Sequence, residues 1–394
     1  MSLKVLCSYS NSFGGGTESV LLNGLPLLHN SGEAQITFAD LYSRPSVTRK
    51  FADLGLNVRL ATSTGSDSVV SGRSGVWRKL DIVSAIPRHL NIAYRLVPAI
   101  RASDLVYVHG YKDLALCHAA RLVLGTRAPA MVWHCHGLHD HAEPPMVVEL
   151  ANRCARVVAI SEDVKEHLVR VGVIPAIVST IYNAVDPPRV QGASLVGPTS
   201  PLPPSHGRKV ILVCPAAVRF IKGIHLAVTA LRNLPNAVLW ITGDESEPAA
   251  SAYVQELKSL GSREGVNDRV FFIGSRDDLP AVMSQADIIC VPSVCREGFG
   301  LVAIEAMALG KPVVVSCRGA LPEIVTDGAT GLVFDPARPN DLAKRLATLI
   351  SDPELAASLG ASGKRSVQLR FTYDRWAREV LSQLLAAATL RRSG

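Results

Sequence analysis

The chain has 394 residues, of which 48% are hydrophobic and 19% are charged. This composition excludes a disordered protein, and the length is enough for two α/β domains. The net charge is +7, but no nucleic-acid recognition motif accompanies it, so we expect no nucleic-acid partner.

Apolar runs alternate with helical patterns from the start of the chain, which predicts doubly wound parallel sheets in an α/β fold. In the first half, the strand-like runs cover residues 4–8, 34–39, 58–61, 105–109, 130–134, 156–160 and 178–181. Residues 187–208 are rich in Pro, Gly and Ser, which favours a linker. A second series of runs covers residues 209–214, 238–242, 270–273, 288–291, 313–316 and 331–334.

These runs predict four segments of the chain. They are an N-terminal Rossmann-like domain over residues 1–186, a linker over 187–208, a C-terminal Rossmann-like domain over 209–372 and a final amphipathic helix within 373–394. Two such domains would face each other across an interdomain cleft. No apolar run approaches the ~20 residues that span a bilayer. The N-terminus does not have the pattern of a secretory signal, and no CxxC pair occurs among the eight cysteines, so we expect a cytoplasmic protein with reduced thiols.

Basic residues are concentrated in residues 44–101, which contain ten Lys or Arg and three acidic residues. Apolar residues lie between them, so this stretch is suited to an anionic membrane surface or an anionic acceptor. An ordinary solvated basic face is an equally good interpretation.

A glycine turn, Gly14-Gly15-Gly16, follows the first predicted strand and precedes a helical pattern. Glycines let the backbone approach a ligand closely, and the start of a helix favours anions. Ser19 stands where a dinucleotide-binding fingerprint would have its third glycine, so the turn is not that motif.

Four histidines, at 134, 136, 139 and 141, lie near the end of the fifth predicted strand. They lack acidic or cysteine partners at the spacing of zinc motifs, so we expect no metal site. Strand alternation places His134 and His136 on the same face. We expect His109, at the end of the fourth strand, to shape the cleft or cap the strand.

Glu297 and Glu305 lie eight positions apart around a Gly-Phe-Gly turn, in the order strand, loop, helix, strand. Such a loop lies at the carboxyl ends of parallel strands, where ligands bind, and the following helix start is suited to phosphate. The carboxylates can accept hydrogen bonds from sugar hydroxyls. Phosphate together with a polyol indicates a nucleotide sugar, while two solvated acids on a surface loop are the simpler alternative.

The string EGFGLVAIEAMALGKPVVVS, residues 297–316, resembles the donor-binding signature of the family 4 retaining glycosyltransferases, which have the GT-B fold. The resemblance implies that Glu297 contacts the transferred sugar and Glu305 the ribose. It also implies donor contacts along the turn and the helix start, at Gly298, Phe299, Gly300, Leu301 and Val302.

Other loops resemble the same family. The resemblance implies that Gly15 and Gly16 face the donor diphosphate and that His136 lies near the transferred sugar. Lys222 matches the family's phosphate-binding lysine, but Ala217 stands where its arginine is usual, so Arg219 is the remaining candidate. The loop around Gly274 and Arg276 would contact the nucleobase, and the last helix would cross back to the N-terminal domain.

The resemblance therefore implies a retaining, metal-independent glycosyltransferase without a cofactor, with His136, Lys222, Arg219 and Glu297 as catalytic candidates. Its partners would be a UDP- or GDP-sugar and a glycan, glycolipid or lipid-linked saccharide of surface-polysaccharide assembly. Such an enzyme would be cytoplasmic, with residues 44–101 as a contact to the inner face of the membrane. A sugar-nucleotide epimerase or hydrolase, and a non-enzymatic nucleotide-sugar-binding protein, are the alternatives.

Overall fold

A computed structural model describes residues 2–9, 16–42, 44–60, 76–137, 144–213 and 218–390. The chain forms two compact units. The first unit is Met1–Tyr182 together with Tyr373–Gly394, and the second unit is Asn183–Thr372. Among the described helices, none is both long and apolar enough to cross a membrane.

The first unit contains a parallel sheet, which has seven strands in the described residues, in the order β3-β2-β1-β4-β5-β6-β7. The central strands are buried along nearly their whole length because helices cover both faces. The strands are β1 (Leu3–Ser8), β2 (Ala34–Asp40), β3 (Asn57–Leu60), β4 (Leu105–Val108), β5 (Ala130–Cys135), β6 (Arg156–Ala159) and β7 (Val178–Thr180).

Six helices connect these strands: α1 (Gly16–Asn30), α2 (Pro45–Asp53), α3 (Val76–Arg101), α4 (Tyr111–Leu124), α5 (Pro145–Asn152) and α6 (Glu162–Arg170). In α6, the Ser161 side chain accepts a hydrogen bond from the Val164 amide, so this helix has a side-chain N-cap.

The second unit contains a parallel sheet with six strands in the described residues, in the order β10-β9-β8-β11-β12-β13. The strands are β8 (Lys209–Val213), β9 (Ala237–Thr242), β10 (Val270–Gly274), β11 (Ile288–Val291), β12 (Val313–Ser316) and β13 (Leu332–Phe334). The predicted α/β class with two parallel sheets is confirmed.

The helices of the second unit are α7 (Pro187–Leu195), α8 (Ile224–Ala230), α9 (Pro248–Arg263), α10 (Leu279–Gln285), α11 (Leu301–Ala308), α12 (Leu321–Ile324), α13 (Asp341–Ser351) and α14 (Pro353–Arg370). The segment that we predicted as a linker, 187–208, thus begins with a helix. Asp186 caps α7 by accepting a hydrogen bond from the Arg189 amide, and α7 packs against α10 and α11. Proline favours the first position of a helix. The high content of Pro and Gly had favoured a linker, because composition does not show where in the segment the prolines lie.

The last helix, α15 (Tyr373–Leu390), returns to the first unit and packs against α1 and β5. Trp376 is buried and fills the space over Gly24 of α1, where an added Cβ would lie 2.3 Å from the indole Cζ3. Only glycine fits at position 24 of α1, because the indole occupies the space that a side chain would need.

In each sheet the strand order reverses at one point, between β1 and β4 in the first unit and between β8 and β11 in the second. Ligands of open parallel sheets bind at the carboxyl ends of the strands beside such a point. A ligand is therefore expected beside the loops that follow β4, β8 and β11.

Candidate active site

The loop after β8 brings Lys222 to the loop after β11. Gly223 adopts a left-handed conformation, and a Cβ at this position would lie 1.9 Å from the Pro292 carbonyl oxygen. This close approach, possible only for glycine, places Lys222 Nζ 2.6 Å from Glu297 Oε1. Both side chains are mostly buried, so the ion pair is only weakly screened by solvent.

The position of Glu297 is fixed by two further contacts. The Ser293 hydroxyl donates a short hydrogen bond to Glu297 Oε1. The backbone of Glu297 forms a parallel bridge with Gly319, and the Ala320 amide donates to the Glu297 carbonyl at 2.9 Å. The carboxylate is thus held in one orientation before any ligand arrives.

The Gly-Phe-Gly turn leads directly into α11. Gly300 is the left-handed N-cap of this helix, and Phe299 is buried with its ring edge against Phe371. By helix geometry, the amides of Leu301 and Val302 have no acceptor within α11. These amides and the positive end of the helix dipole are suited to a phosphate.

Glu305 lies one turn into α11. Burial raises the pKa of its carboxyl from 4.5 to about 7. Within the described part of the chain this carboxyl has no hydrogen-bond or ion-pair partner, so it is available to a ligand hydroxyl.

Arg219 and Arg276 are each engaged by a neighbouring carboxylate. The Arg219 guanidinium donates to Glu247 at 2.7 Å, and both side chains are about half exposed.

Arg276 makes a two-pronged contact with Asp278, which also accepts hydrogen bonds from the amide and hydroxyl of Thr199. Burial would raise the pKa of Asp278, but these hydrogen bonds outweigh it and lower the pKa to about 2. The guanidinium of Arg276 therefore holds the loop after Gly274 in place.

In the first unit, the predicted glycine turn lies mostly outside the described residues, which include Gly16 but not Gly14 or Gly15. Gly16 is the first residue of α1. In this first turn, the buried carboxylate of Glu18 accepts a hydrogen bond from Lys50 Nζ at 2.8 Å.

Three histidines meet at the carboxyl ends of β4 and β5. His109 Nδ1 lies 2.8 Å from His136 Nε2, and the His134 and His136 rings stack with centroids 4.4 Å apart. Burial lowers the pKa of His136 from 6.5 to about 3. Burial and the neighbouring histidines hold the pKa values of His109 and His134 well below their usual range. His139 and His141 lie outside the described residues.

The structure thus gathers Lys222, Glu297, the turn and the start of α11 into one group in the second unit, and His136 into a separate group in the first. Sequence reasoning missed Ser293 as a partner of Glu297 and His109 as a partner of His136. Strand alternation continued past the end of β5 indicated that His134 and His136 share a face, but the pairing of β4 with β5 is long-range and has no local signal.

Two parallel sheets with this strand order define a doubly wound class of α/β protein. Two family models match the chain, Glycosyltransferase Family 4 over residues 46–189 and Glycosyl transferases group 1 over residues 202–366. Together they match most of its length. The chain therefore belongs to the family 4 glycosyltransferases.

Curated relatives match over less than half of their length. A GDP-mannose-dependent alpha-(1-6)-phosphatidylinositol monomannoside mannosyltransferase of Mycobacterium tuberculosis is 33% identical over 180 residues, covering 43% of this chain and 45% of the relative. A D-inositol 3-phosphate glycosyltransferase of Corynebacterium efficiens is 40% identical over 141 residues, covering 35% of this chain and 32% of the relative.

Solved structures show the fold over nearly the whole chain. HepE of Anabaena, in complex with UDP and glucose, has a TM-score of 0.78 at 21% identity and covers 98% of this chain and 100% of its own. A glycosyltransferase of Rickettsia africae has a TM-score of 0.77 at 19% identity and covers 98% and 99%. These similarities confirm the predicted GT-B fold.

Proposed function

We propose that the protein transfers a sugar from a nucleotide-sugar donor to an acceptor hydroxyl, with retention of the anomeric configuration. The observation that carries this proposal is the Lys222–Glu297 pair, at 2.6 Å, beside the start of α11. It combines what a sugar diphosphate requires: a cation and the amides of Leu301 and Val302 for the phosphates, and a fixed carboxylate for the sugar hydroxyls.

In the proposed complex, the diphosphate lies between Lys222 and the amides of Gly298–Val302. Glu297 accepts hydrogen bonds from the sugar, and Glu305 accepts them from the ribose. The loop that contains Gly274 and Arg276 would contact the nucleobase through its backbone. Arg219 would supply a second cation after leaving its exposed pair with Glu247, and such exposed pairs hold a side chain only weakly.

The chemical step breaks the bond between the anomeric carbon and the diphosphate oxygen, which leaves with the electron pair. The acceptor oxygen then bonds to the anomeric carbon on the same face, and its proton passes to the departing phosphate. Lys222 and the helix amides stabilise the charge that develops on the leaving group. His136 is assigned near the transferred sugar. Because side chains supply the countercharge, we expect no metal ion or other cofactor to be required.

The names of the relatives support a choice of substrates. A GDP-mannose-dependent relative and a fold neighbour in complex with UDP and glucose suggest a GDP- or UDP-sugar donor. The acceptors named for the relatives are phosphorylated inositol compounds, one of them a lipid. We propose a glycan, glycolipid or lipid-linked saccharide as acceptor.

Contact with an anionic membrane would bring such an acceptor to the enzyme. The basic segment 44–101 includes the exposed Leu90 and Tyr94 of α3, next to the exposed Arg95. Sedimentation with anionic vesicles but not with neutral vesicles is the expected result, and equal pelleting with both would contradict it.

A panel of UDP-, GDP- and ADP-sugars, with and without candidate acceptors, tests the function. The expected result is acceptor-dependent release of nucleoside diphosphate and a product with retained α configuration. Epimerised donor, or hydrolysis independent of acceptor, would indicate the other enzyme class instead. Tight donor binding without any turnover would indicate a binding protein.

Variants in the second unit test the residue assignments. Removing the cation in Lys222→Ala should lower kcat by about 10²–10³-fold, the cost of losing one preorganised charge stabiliser. Glu297→Ala and Glu305→Ala should weaken donor binding, while the exposed Glu354→Ala in α14 should behave like the wild type. Unchanged donor affinity and turnover in both carboxylate variants would refute the assigned site.

A further inference from the structure

The histidine cluster of the first unit, defined as His109, His134 and His136, has a geometry that sugar transfer does not require. One ring nitrogen from each histidine lies within 4.8 Å of those from the other two. Three imidazoles converging in this way form a common ligand set for transition metals.

Three ring nitrogens of the cluster are buried without a partner. They are His109 Nε2, His134 Nε2 and His136 Nδ1, and the His134 side chain has no exposed surface at all. A buried polar atom left without a hydrogen bond costs about 1–3 kcal/mol. Of these atoms, His134 Nε2 is the one left for a ligand on its ring, whereas the nitrogens of His109 and His136 that face each other are Nδ1 and Nε2, 2.8 Å apart.

The surrounding structure also orients the cluster. The Tyr107 hydroxyl lies 2.5 Å from His134 Nδ1, which leaves the unpartnered Nε2 of that ring as its available atom. In protein metal sites, a ligating histidine commonly forms such a hydrogen bond through its other ring nitrogen. β4 and β5 pair in parallel, with Val108 opposite Trp133, so His109 and His134 begin from adjacent positions at the end of the sheet.

We propose that His109, His134 and His136 bind one divalent transition-metal ion of the zinc class through their imidazoles, with water as a fourth ligand. Ligand nitrogens on tetrahedral zinc lie about 3.3 Å apart, given Zn–N distances near 2.0–2.1 Å. The facing nitrogens of His109 and His136, Nδ1 and Nε2, are 2.8 Å apart and would separate to this spacing around the ion. Because the His134 and His136 rings are stacked, one of them would rotate to direct its nitrogen at the ion. An all-nitrogen set favours zinc, cobalt, nickel or copper over magnesium or calcium.

This site goes beyond the proposed sugar transfer, for which we expect no metal. One consequence does rest on the proposed function: because His136 is assigned to the reacting sugar, a bound metal ion would withdraw it from that role and inhibit transfer. The binding itself can be measured without any activity.

The test uses the full chain without a polyhistidine tag, stripped with EDTA and titrated with Co²⁺. We expect one Co²⁺ per chain, with the visible d–d absorption of a four-coordinate nitrogen and oxygen site, displaced by Zn²⁺. His134→Gln should weaken binding by more than about 100-fold, since loss of an outer hydrogen-bond partner alone costs about 10–100-fold. Tyr107→Phe should weaken Co²⁺ binding by only about 10–100-fold.

His118→Gln is the matched control, because His118 is another buried histidine of the first unit, bonded to the Leu150 carbonyl. It should bind Co²⁺ like the wild type. Absence of stoichiometric binding, a strong thiolate charge-transfer band, or equal affinity in His134→Gln would overturn the proposal. If a cluster variant does not fold, ring-nitrogen NMR of the wild type decides: Zn²⁺ should shift the signals of three neutral histidines, and shifts confined to others would refute the site.

Discussion

The ionisation of Glu305 links the stability of the second unit to donor binding. Its pKa is about 7 instead of 4.5 because the carboxyl is buried in α11. In the unfolded chain the group ionises as pH rises through 4.5, whereas in the folded chain it keeps its proton until about pH 7. The folded state therefore binds more protons over this window, and stability decreases as pH rises.

Glu305→Gln should consequently be more stable than the wild type at about pH 8, by about 2 kcal/mol after allowing for partial exposure. The difference should nearly vanish near pH 4.5, where the wild-type carboxyl is protonated. Urea denaturation of both proteins across this range measures it. Donor affinity should show the opposite trend, since an ionised carboxylate is the better acceptor for ribose hydroxyls. A stability difference independent of pH would contradict the assigned ionisation.

Single residues were the least predictable part of the site. The sequence string predicted donor contacts for Lys222 and Glu297, and the structure places the charged groups of these two residues in contact. The pairing of Arg219 with Glu247 depends on how two loops fold beside each other, which local pattern does not reveal. The contact of Ser293 with Glu297 could not be predicted either, because the residues around Ser293 have the ordinary pattern of a strand end.

The close contact between Gly319 and Glu297 shows how one loop positions another. Gly319 has a φ of +62°, and a Cβ there would lie 2.2 Å from the Glu297 carbonyl oxygen. Gly328 has a similar φ of +72°, but nothing lies within 4 Å of its Cβ position. A substitution at Gly328 would therefore introduce backbone strain alone, whereas one at Gly319 would introduce both backbone strain and steric overlap with Glu297.

Gly319→Ala should lower the free energy of unfolding by about 3 kcal/mol, combining left-handed strain of about 1 kcal/mol with overpacking of about 2 kcal/mol. Gly328→Ala should cost only the strain, about 1 kcal/mol. Chemical denaturation compares them, and donor binding should weaken in Gly319→Ala alone. Equal losses of unfolding free energy in both variants would show that the contact with Glu297 does not contribute to stability.

Trp376 fixes α15 to the first unit through Gly24 and through its stacking on His134, with ring centroids 6.2 Å apart. Trp376→Ala should destabilise the first unit by about 3–5 kcal/mol, the usual cost of truncating a buried tryptophan. Leu385→Ala, at a partly exposed position of the same helix, should cost less than about 1 kcal/mol.

Hydrogen exchange measured by mass spectrometry locates the effect of Trp376→Ala. Faster exchange is expected in α1 and β5, with unchanged protection of the strands of the second unit. Uniform loss of protection across both sheets would argue against a local role for this tryptophan.

The two sheets could be predicted from sequence because their strands are short, buried apolar runs separated by helical patterns. All thirteen described strands coincide with predicted runs to within about two residues, since burial on both faces leaves a strong signal. The helix at Pro187–Leu195 was missed because its composition resembles that of a turn. The histidine cluster depends on which strands are neighbours, which is a property of the assembled sheet.

Because α15 belongs to the first unit although it follows the second in the chain, synthesis imposes an order on folding. The N-terminal part emerges from the ribosome first but lacks the tryptophan that packs over Gly24. The second unit is continuous, so all of its residues are available before Tyr373–Leu390 have emerged. Nascent chains usually fold their N-terminal domain first. Here we expect the second unit to be complete earlier, while the first keeps the surface of α1 uncovered until the ribosome releases α15.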